Sequence, residues 1–214
     1  MIDRRRILFS DDSLLAVNKL SGELVVAGAG KSDKLSLLDF LRKDYPGLKP
    51  LHRLDFETSG VVIFARTKKV AEAVLTSKFN GWKKTYVTLV AGRMPRPSGV
   101  IRTPLPARGE GVVPAETVYR VLEVFANSCL VEADIETGRH HQIRRHFESI
   151  GHPLLLDEEY GNKAINRVFT REFHLRRLFL HAVSVSLPHP VTGESLTIGA
   201  PLPRVFEGML KRLR

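Results

Sequence analysis

Cysteine is almost absent: Cys129 is the one thiol in 214 residues, so no internal disulfide can form. That usage fits a reducing cytosol. Cys129 lies inside the apolar run CLVEADI and reads as a buried strand residue rather than a nucleophile. Acidic residues are also few, 23 Asp and Glu against 33 Lys and Arg, which leaves a formal net charge of +10. The imbalance favours a polyanionic partner, nucleic acid or an anionic membrane surface, although charge alone does not choose between a ligand and a solvated face. No apolar run approaches the roughly 20 residues that span a bilayer. The start, MIDRRRILFSDD, is basic but lacks the apolar stretch of a signal peptide. Repeats and low-complexity linkers are missing too. The expectation is a cytoplasmic protein without a membrane, with nucleic acid the leading partner.

What is present is enough for a large core, since hydrophobic residues make up 43% of the chain. Residues 14–18 (LLAVN) read as a short strand, and 33–44 carry Leu35, Leu38 and Leu41 at helical spacing before Pro46-Gly47. VVIFA at 61–65 is fit for a buried strand. A helix follows, with Thr67 as N-cap and Val70 and Val74 one turn apart, ending near Gly81. TYVTLVA at 85–91 is β-rich, 93–114 reads as hairpin-rich connection, and strands fall near 116–124 and 129–135. Ile143, Phe147 and Ile150 mark one face of a helix over 140–150, and 179–187 alternates like a half-buried strand. Helices mixed with hairpin-joined strands argue α+β rather than a regular βαβ sheet.

Two polar stretches carry the chemistry. LHRLDFETSGVVIFAR, residues 51–66, sets Arg53, Asp55, Thr58, Ser59 and Gly60 just before a buried strand; on composition alone it is equally a turn. A kinase catalytic loop is excluded, because Leu54 separates Arg53 from Asp55 and no metal-holding Asn follows before Asn80. The second stretch is TGRHHQIRRHFESIGHPLLLDEEYG, residues 137–161. Helical spacing sets Arg144 beside the apolar stripe and turns Arg145 and Glu148 outward. Arg144 can therefore reach a buried carboxylate with both nitrogens, or remain an ordinary solvent-facing arginine. His140, His141, His146 and His152 raise a metal site. His141 and His146 are five apart and His140 and His146 six apart, not the four that one helical face requires, so no metal is expected.

Taken together, the two stretches resemble a known family. HRLDFETSG is similar to the HRLDxxTSG signature of RluA-type pseudouridine synthases, and TGRHHQIRRH with LDEEYG resembles their TGRTHQIRxH and GDxxYG segments. LLAVNKLSG, KKTYVTLVAG, AETVYRVLEV and LHAVSVSLPHPVTGE match further family segments in order, so the resemblance runs from about residue 12 to 200. It implies a uridine-to-pseudouridine isomerase without cofactor or metal. It also implies a mixed, mostly antiparallel central sheet with flanking helices, in two lobes around an RNA-binding cleft. Residues 1–214 would form a single catalytic domain, acting as a monomer without a separate N-terminal RNA-binding domain. On this resemblance Asp55 is the catalytic carboxylate, Arg144 holds it ionised and oriented, and Tyr86 stacks on the uracil and helps remove the final ring proton. Arg53 fills the space left by a flipped base. Thr58, Arg139, Ile143, Lys83 and Lys84 join it as substrate-binding positions.

The implied partner is structured RNA, rRNA or tRNA, whose uridine must be flipped out before it can react. Arg66-Lys68-Lys69, Lys83-Lys84, Arg139, Arg145 and Arg171 to Arg177 could supply phosphate contacts or be solvated faces. The chain departs from the family pattern at four places. Leu20 stands for a proline, which should loosen a turn; His140 replaces a Thr, Arg145 an aliphatic residue, and Leu156 a glycine near Asp157. Two other classes remain in play, a non-catalytic RNA-binding protein and a metal-dependent hydrolase. Three intact residues, Asp55, Tyr86 and Arg144, weigh against a pure binder.

Overall fold

A computed structural model describes residues 2–27, 35–107, 109–175 and 177–214. In chain order the elements are a 3-10 turn Arg4–Arg6, β1 Ile7–Ser10, β2 Leu14–Lys19, α1 Leu37–Leu41, β3 Lys49–Pro50, β4 Ser59–Ala65 and α2 Lys68–Thr76. Then come β5 Lys83–Ala91, β6 Ser98–Ile101, β7 Leu105–Pro106, β8 Val112–Val113, β9 Thr117–Val124, β10 Ser128–Ile135 and α3 Gln142–Ser149. The chain finishes with α4 Lys163–Phe173, β11 Leu180–Pro188, β12 Ser195–Gly199 and α5 Arg204–Leu213. This is the mixed α+β class, with antiparallel pairing in each register described below. It divides into two compact units, Met1–Lys83 with Ala182–Pro201, and Lys84–His181 with Leu202–Arg214.

In the first unit β2 pairs along its length with β4, from Leu14↔Ala65 to Lys19↔Gly60. Every residue of β4 is buried, as the run VVIFA requires of a strand covered on both faces. Strand alternation sends Val61, Ile63 and Ala65 to the face that Val70, Ala71 and Val74 of α2 pack against. The Thr67 hydroxyl caps α2 as expected, accepting from the Val70 N–H at 3.2 Å. The helix stops at Thr76, well short of Gly81, because Lys78 and Phe79 turn left-handed at φ 51° and 59°. Helix α1 is also shorter than the expected 33–44. Ser36 and Asp39 form a reciprocal capping box that starts it, and positions 33 and 34 lie outside the described residues.

In the second unit the order is β5, β10, β9, β6, with Ile135↔Lys84 through Ser128↔Ala91 joining β10 to β5. The stretch 93–114 holds β6 and the small β7–β8 hairpin, with Arg108 outside the described residues. Cys129 is fully buried on β10. Helix α5 lays Phe206 on Phe179 with ring centroids 4.0 Å apart. Such a pair is worth about 0.5–1.5 kcal/mol beyond its burial. Ile143 and Phe147 face the core at 4% and 0% exposure, but Ile150 does not. Gly151, at φ 78°, ends α3 at Ser149 and leaves Ile150 38% exposed.

Candidate active site

Asp55 lies in the first unit, on the turn between β3 and β4. Gly60 fixes where that turn enters the sheet: a Cβ there would sit 2.2 Å from the Ala182 carbonyl oxygen, and its φ is 116°. The turn itself is held by a lysine from β2. Lys19, fully buried, donates from Nζ to the carbonyls of Leu20 (3.1 Å), Phe56 (3.1 Å) and Thr58 (2.6 Å). Burial pushes its ammonium down to about 8, against the pull of Glu23 and Asp55. Gly22 N–H adds a bond to the Phe56 carbonyl at 2.8 Å, and Thr58 N–H closes on the Asp55 carbonyl at 3.2 Å. The Leu20 position is not loosened by its missing proline. Its N–H donates to Glu23 at 2.9 Å, a bond proline cannot make, and Arg6 grips the same carboxylate from the other side.

Around Asp55, which is half-buried, Arg53 is exposed and Leu54 and Thr58 are buried. Thr58 Oγ1 has no hydrogen-bond partner among the described residues. His52 accepts from the Ile63 N–H at 3.2 Å and sets its ring edge-on to Trp82. Lysine 83 is exposed on β5 and belongs to this unit.

The second unit holds Lys84, Tyr86, Arg139, Ile143 and Arg144. Gln142, 3% exposed, organises the TGRHHQ loop: its carbonyl oxygen accepts from Thr137 Oγ1 and Arg139 N, while its amide donates to the Glu116 carbonyl at 2.7 Å. Arg139 is exposed, whereas Arg144 is buried at 4%. Arg144 does meet a buried carboxylate with two nitrogens. Nε and Nη2 reach the two oxygens of Asp157 at 2.6 and 2.7 Å. Burial by itself would raise the Asp157 pKa, but Arg144 and the N–H groups of Tyr160 and Glu159 hold it below the usual carboxylate range. Tyr160 lies under Arg144 as a cation–π partner 5.0 Å from its ring centroid, and accepts from Arg145 Nε at 2.9 Å. Neither Asp157 nor Tyr160 was marked by spacing alone.

Leu156 shows why a glycine suits this turn. Its φ is 63°, left-handed, and Asn166 Oδ1 holds its N–H at 2.8 Å. The paired lysines do not share a face. Successive strand residues point to opposite sides, so Lys84 is buried, its pKa lowered by burial, with Nζ 3.6 Å from where a Gly138 Cβ would be. Three of the four histidines form hydrogen bonds within the protein. His146 bonds Thr117 Oγ1 and the Thr103 carbonyl, His141 bonds the Tyr160 hydroxyl, and His152 the Ala91 carbonyl. Among the described residues no three His, Cys, Asp or Glu side chains are grouped to hold a metal ion.

Comparison with known proteins decides the family. The RNA pseudouridylate synthase family model matches residues 13–149. The large-subunit pseudouridine synthase C of Pasteurella multocida is 37% identical over 98% of this chain and 68% of its own length. Its Escherichia coli counterpart is 36% identical over 97% and 70%. This chain belongs to the RNA pseudouridylate synthase family.

The fold agrees. The human RNA pseudouridylate synthase domain containing 4 superposes with a TM-score of 0.81 at 28% identity, over 98% of this chain and 93% of that one. The human RNA pseudouridylate synthase domain containing 1 gives 0.74 at 25% identity, over 97% of this chain and 94% of that one. The protein is thus a pseudouridine synthase of the RluA type, an isomerase that converts uridine in RNA. The family match ends where α3 ends, at residue 149. Asp157, which pairs with Arg144, lies beyond it.

Proposed function

We propose that this synthase isomerises a uridine of large-subunit ribosomal RNA in the cytoplasm, as a monomer, with Asp55 as the catalytic carboxylate. The observation that supports Asp55 best is the Lys19 clamp. A fully buried ammonium bonded to three carbonyls, those of Phe56 and Thr58 in one short turn and that of Leu20 beside it, is costly to build, and what it immobilises is the backbone that presents Asp55. The relatives' names supply the rRNA class.

The reaction breaks the bond from ribose C1′ to N1 of uracil, turns the base over, joins C1′ to C5, and removes the C5 proton while N1 gains one, so that the product is an isomer of the substrate. Asp55 acts as an ionised oxygen, either adding to C1′ or removing the ribose 2′ proton. Arg144 keeps the carboxylate side of the site charged, with its own orientation set by Asp157. Tyr86, 7% exposed on β5, lies against the uracil and assists the final deprotonation. Arg53, Thr58, Arg139 and Ile143 complete the contacts to the flipped nucleotide.

The test is pseudouridine mapping across total RNA from cells with and without the gene. Loss of modification at a large-subunit rRNA uridine is expected. A change confined to tRNA would move the substrate to that class, and an unchanged map would overturn the proposal.

A further inference from the structure

A groove of about 880 Å³ runs beside α4 in the second unit, its opposite wall formed by the turn at Leu156 to Glu158. Asn162 starts α4 by accepting the N–H groups of Ala164 and Ile165. Phe169 buries the core side of the helix, and Phe173 stacks on it at 5.4 Å. The groove side carries Lys163, Arg167, Arg171 and His174, all exposed and recurring at the spacing of one helical face. Against them stands Glu158, because the charge of Asp157 is already taken by Arg144. Arg171 also meets Glu172 at 3.2 Å, an exposed pair of little strength that can exchange for another anion.

The groove is tied to the reactive part of the molecule. Asn166 accepts from the Leu156 N–H and donates to the Asp157 carbonyl, both at 2.8 Å. Gly161 lets this approach happen, since a Cβ there would sit 2.1 Å from the Asp157 carbonyl oxygen. An anion seated on α4 is thereby held at a set distance from the Arg144–Asp157 pair.

We propose that this groove carries the sugar–phosphate backbone of the substrate RNA, with Lys163, Arg167 and Arg171 each meeting a phosphate. The inference rests on the reading of the protein as an RNA pseudouridine synthase. Cations four residues apart on a helix are about 6 Å apart along its axis. The three span about 12 Å, the rise of three to four stacked nucleotides at roughly 3.4 Å each. No Phe, Tyr or Trp lines the groove among the described residues, so it is built mainly of cations rather than of large stacking rings. Its contribution is affinity and register, independent of sequence.

The experiment titrates the intact protein against a fluorescently labelled uridine-containing stem–loop RNA over a range of salt. Compared with wild type are Arg167→Glu with Arg171→Glu, the neutral pair Arg167→Gln with Arg171→Gln, and a charge-matched control on α5, Arg204→Glu with Lys211→Glu. Both α4 pairs should weaken binding and flatten the log–log salt slope by about 1.4, at about 0.7 per lost single-stranded phosphate contact. The α5 control should keep the wild-type slope. Wild-type affinity and slope in the α4 pairs would overturn the proposal, and so would an equal loss in the control, which would mean diffuse attraction only. Turnover of RNA by the wild-type protein is measured separately, so a failed groove and a failed enzyme assignment give different results.

Discussion

Replacing Asp157 by Asn removes one charge from a pair in which the side chains are 0% and 4% exposed. The amide keeps an oxygen for the N–H groups of Glu159 and Tyr160, both 2.9 Å from Oδ1, so the turn can still close. Its NH2 then opposes Arg144 Nε, donor against donor, where 2.6 Å of charged hydrogen bond stood before. Glu159, 53% exposed and 3.6 Å from Nη2, is a weak substitute. Removing one partner of a buried pair costs about 3–5 kcal/mol. That is a large share of a total stability of about 5–15 kcal/mol. At about 2–4 °C per kcal/mol for a chain of this size, the melting temperature should drop by roughly 6–20 °C. Because folding lowers the Asp157 pKa, the stabilisation is complete above the unfolded carboxylate value and fades as pH falls through the folded one. The wild-type advantage should therefore shrink below about pH 4. Thermal melts by circular dichroism, with Glu159→Gln as the exposed control at about 0–1 kcal/mol, make the comparison. An Asp157→Asn melt within about 2 °C of wild type, or a larger loss in the control, would refute the reasoning.

Lys19→Met should release the Asp55 turn: it strands the Leu20 and Thr58 carbonyls at about 1–3 kcal/mol each and leaves the Phe56 carbonyl only its Gly22 N–H, partly offset by no longer burying an ammonium, and both melting temperature and pseudouridine formation should fall. Unchanged activity would show that the clamp does not position Asp55. Arg144→Ala should lose far more activity than Arg145→Ala in a steady-state assay, since Arg144 is buried on Asp157 and Arg145 is only half-buried beside Tyr160; the reverse order would contradict the register of α3. His146 is fully buried, and burial lowers its pKa, so the unfolded chain takes up the proton first as pH falls through about 6.5. Wild type should lose stability below that pH, and His146→Gln should melt lower at neutral pH but with a flatter dependence between about pH 7 and 5; parallel curves would remove His146 as the source.

Much of this arrangement was legible in the sequence because it is written in local patterns. The VVIFA run, the Thr67 cap and the Ile143–Phe147 stripe each encode their own element, and the order of motifs pointed to the family. Alternation along KKTYVT also carried the burial of Lys84, which shares a strand face with Tyr86. The signal for α4 was present in Asn162 and in Ile165, Phe169 and Phe173 at helical spacing. What could not be read was tertiary. Nothing local pairs Arg144 with Asp157 across a left-handed Leu156, or aims Lys19 at carbonyls more than thirty residues away. Ile150 misled because its spacing fits the stripe while Gly151 ends the helix before it.

The most direct test of the account is pseudouridine formation by Asp55→Asn under single-turnover conditions on an RNA that the wild-type protein modifies. Asn preserves the shape of the side chain and lacks the ionised oxygen that both routes require. The account predicts that product formation is abolished while RNA affinity and melting temperature stay near wild type. Turnover within about tenfold of wild type, a barrier change of only about 1.4 kcal/mol, would contradict Asp55 as the catalytic carboxylate.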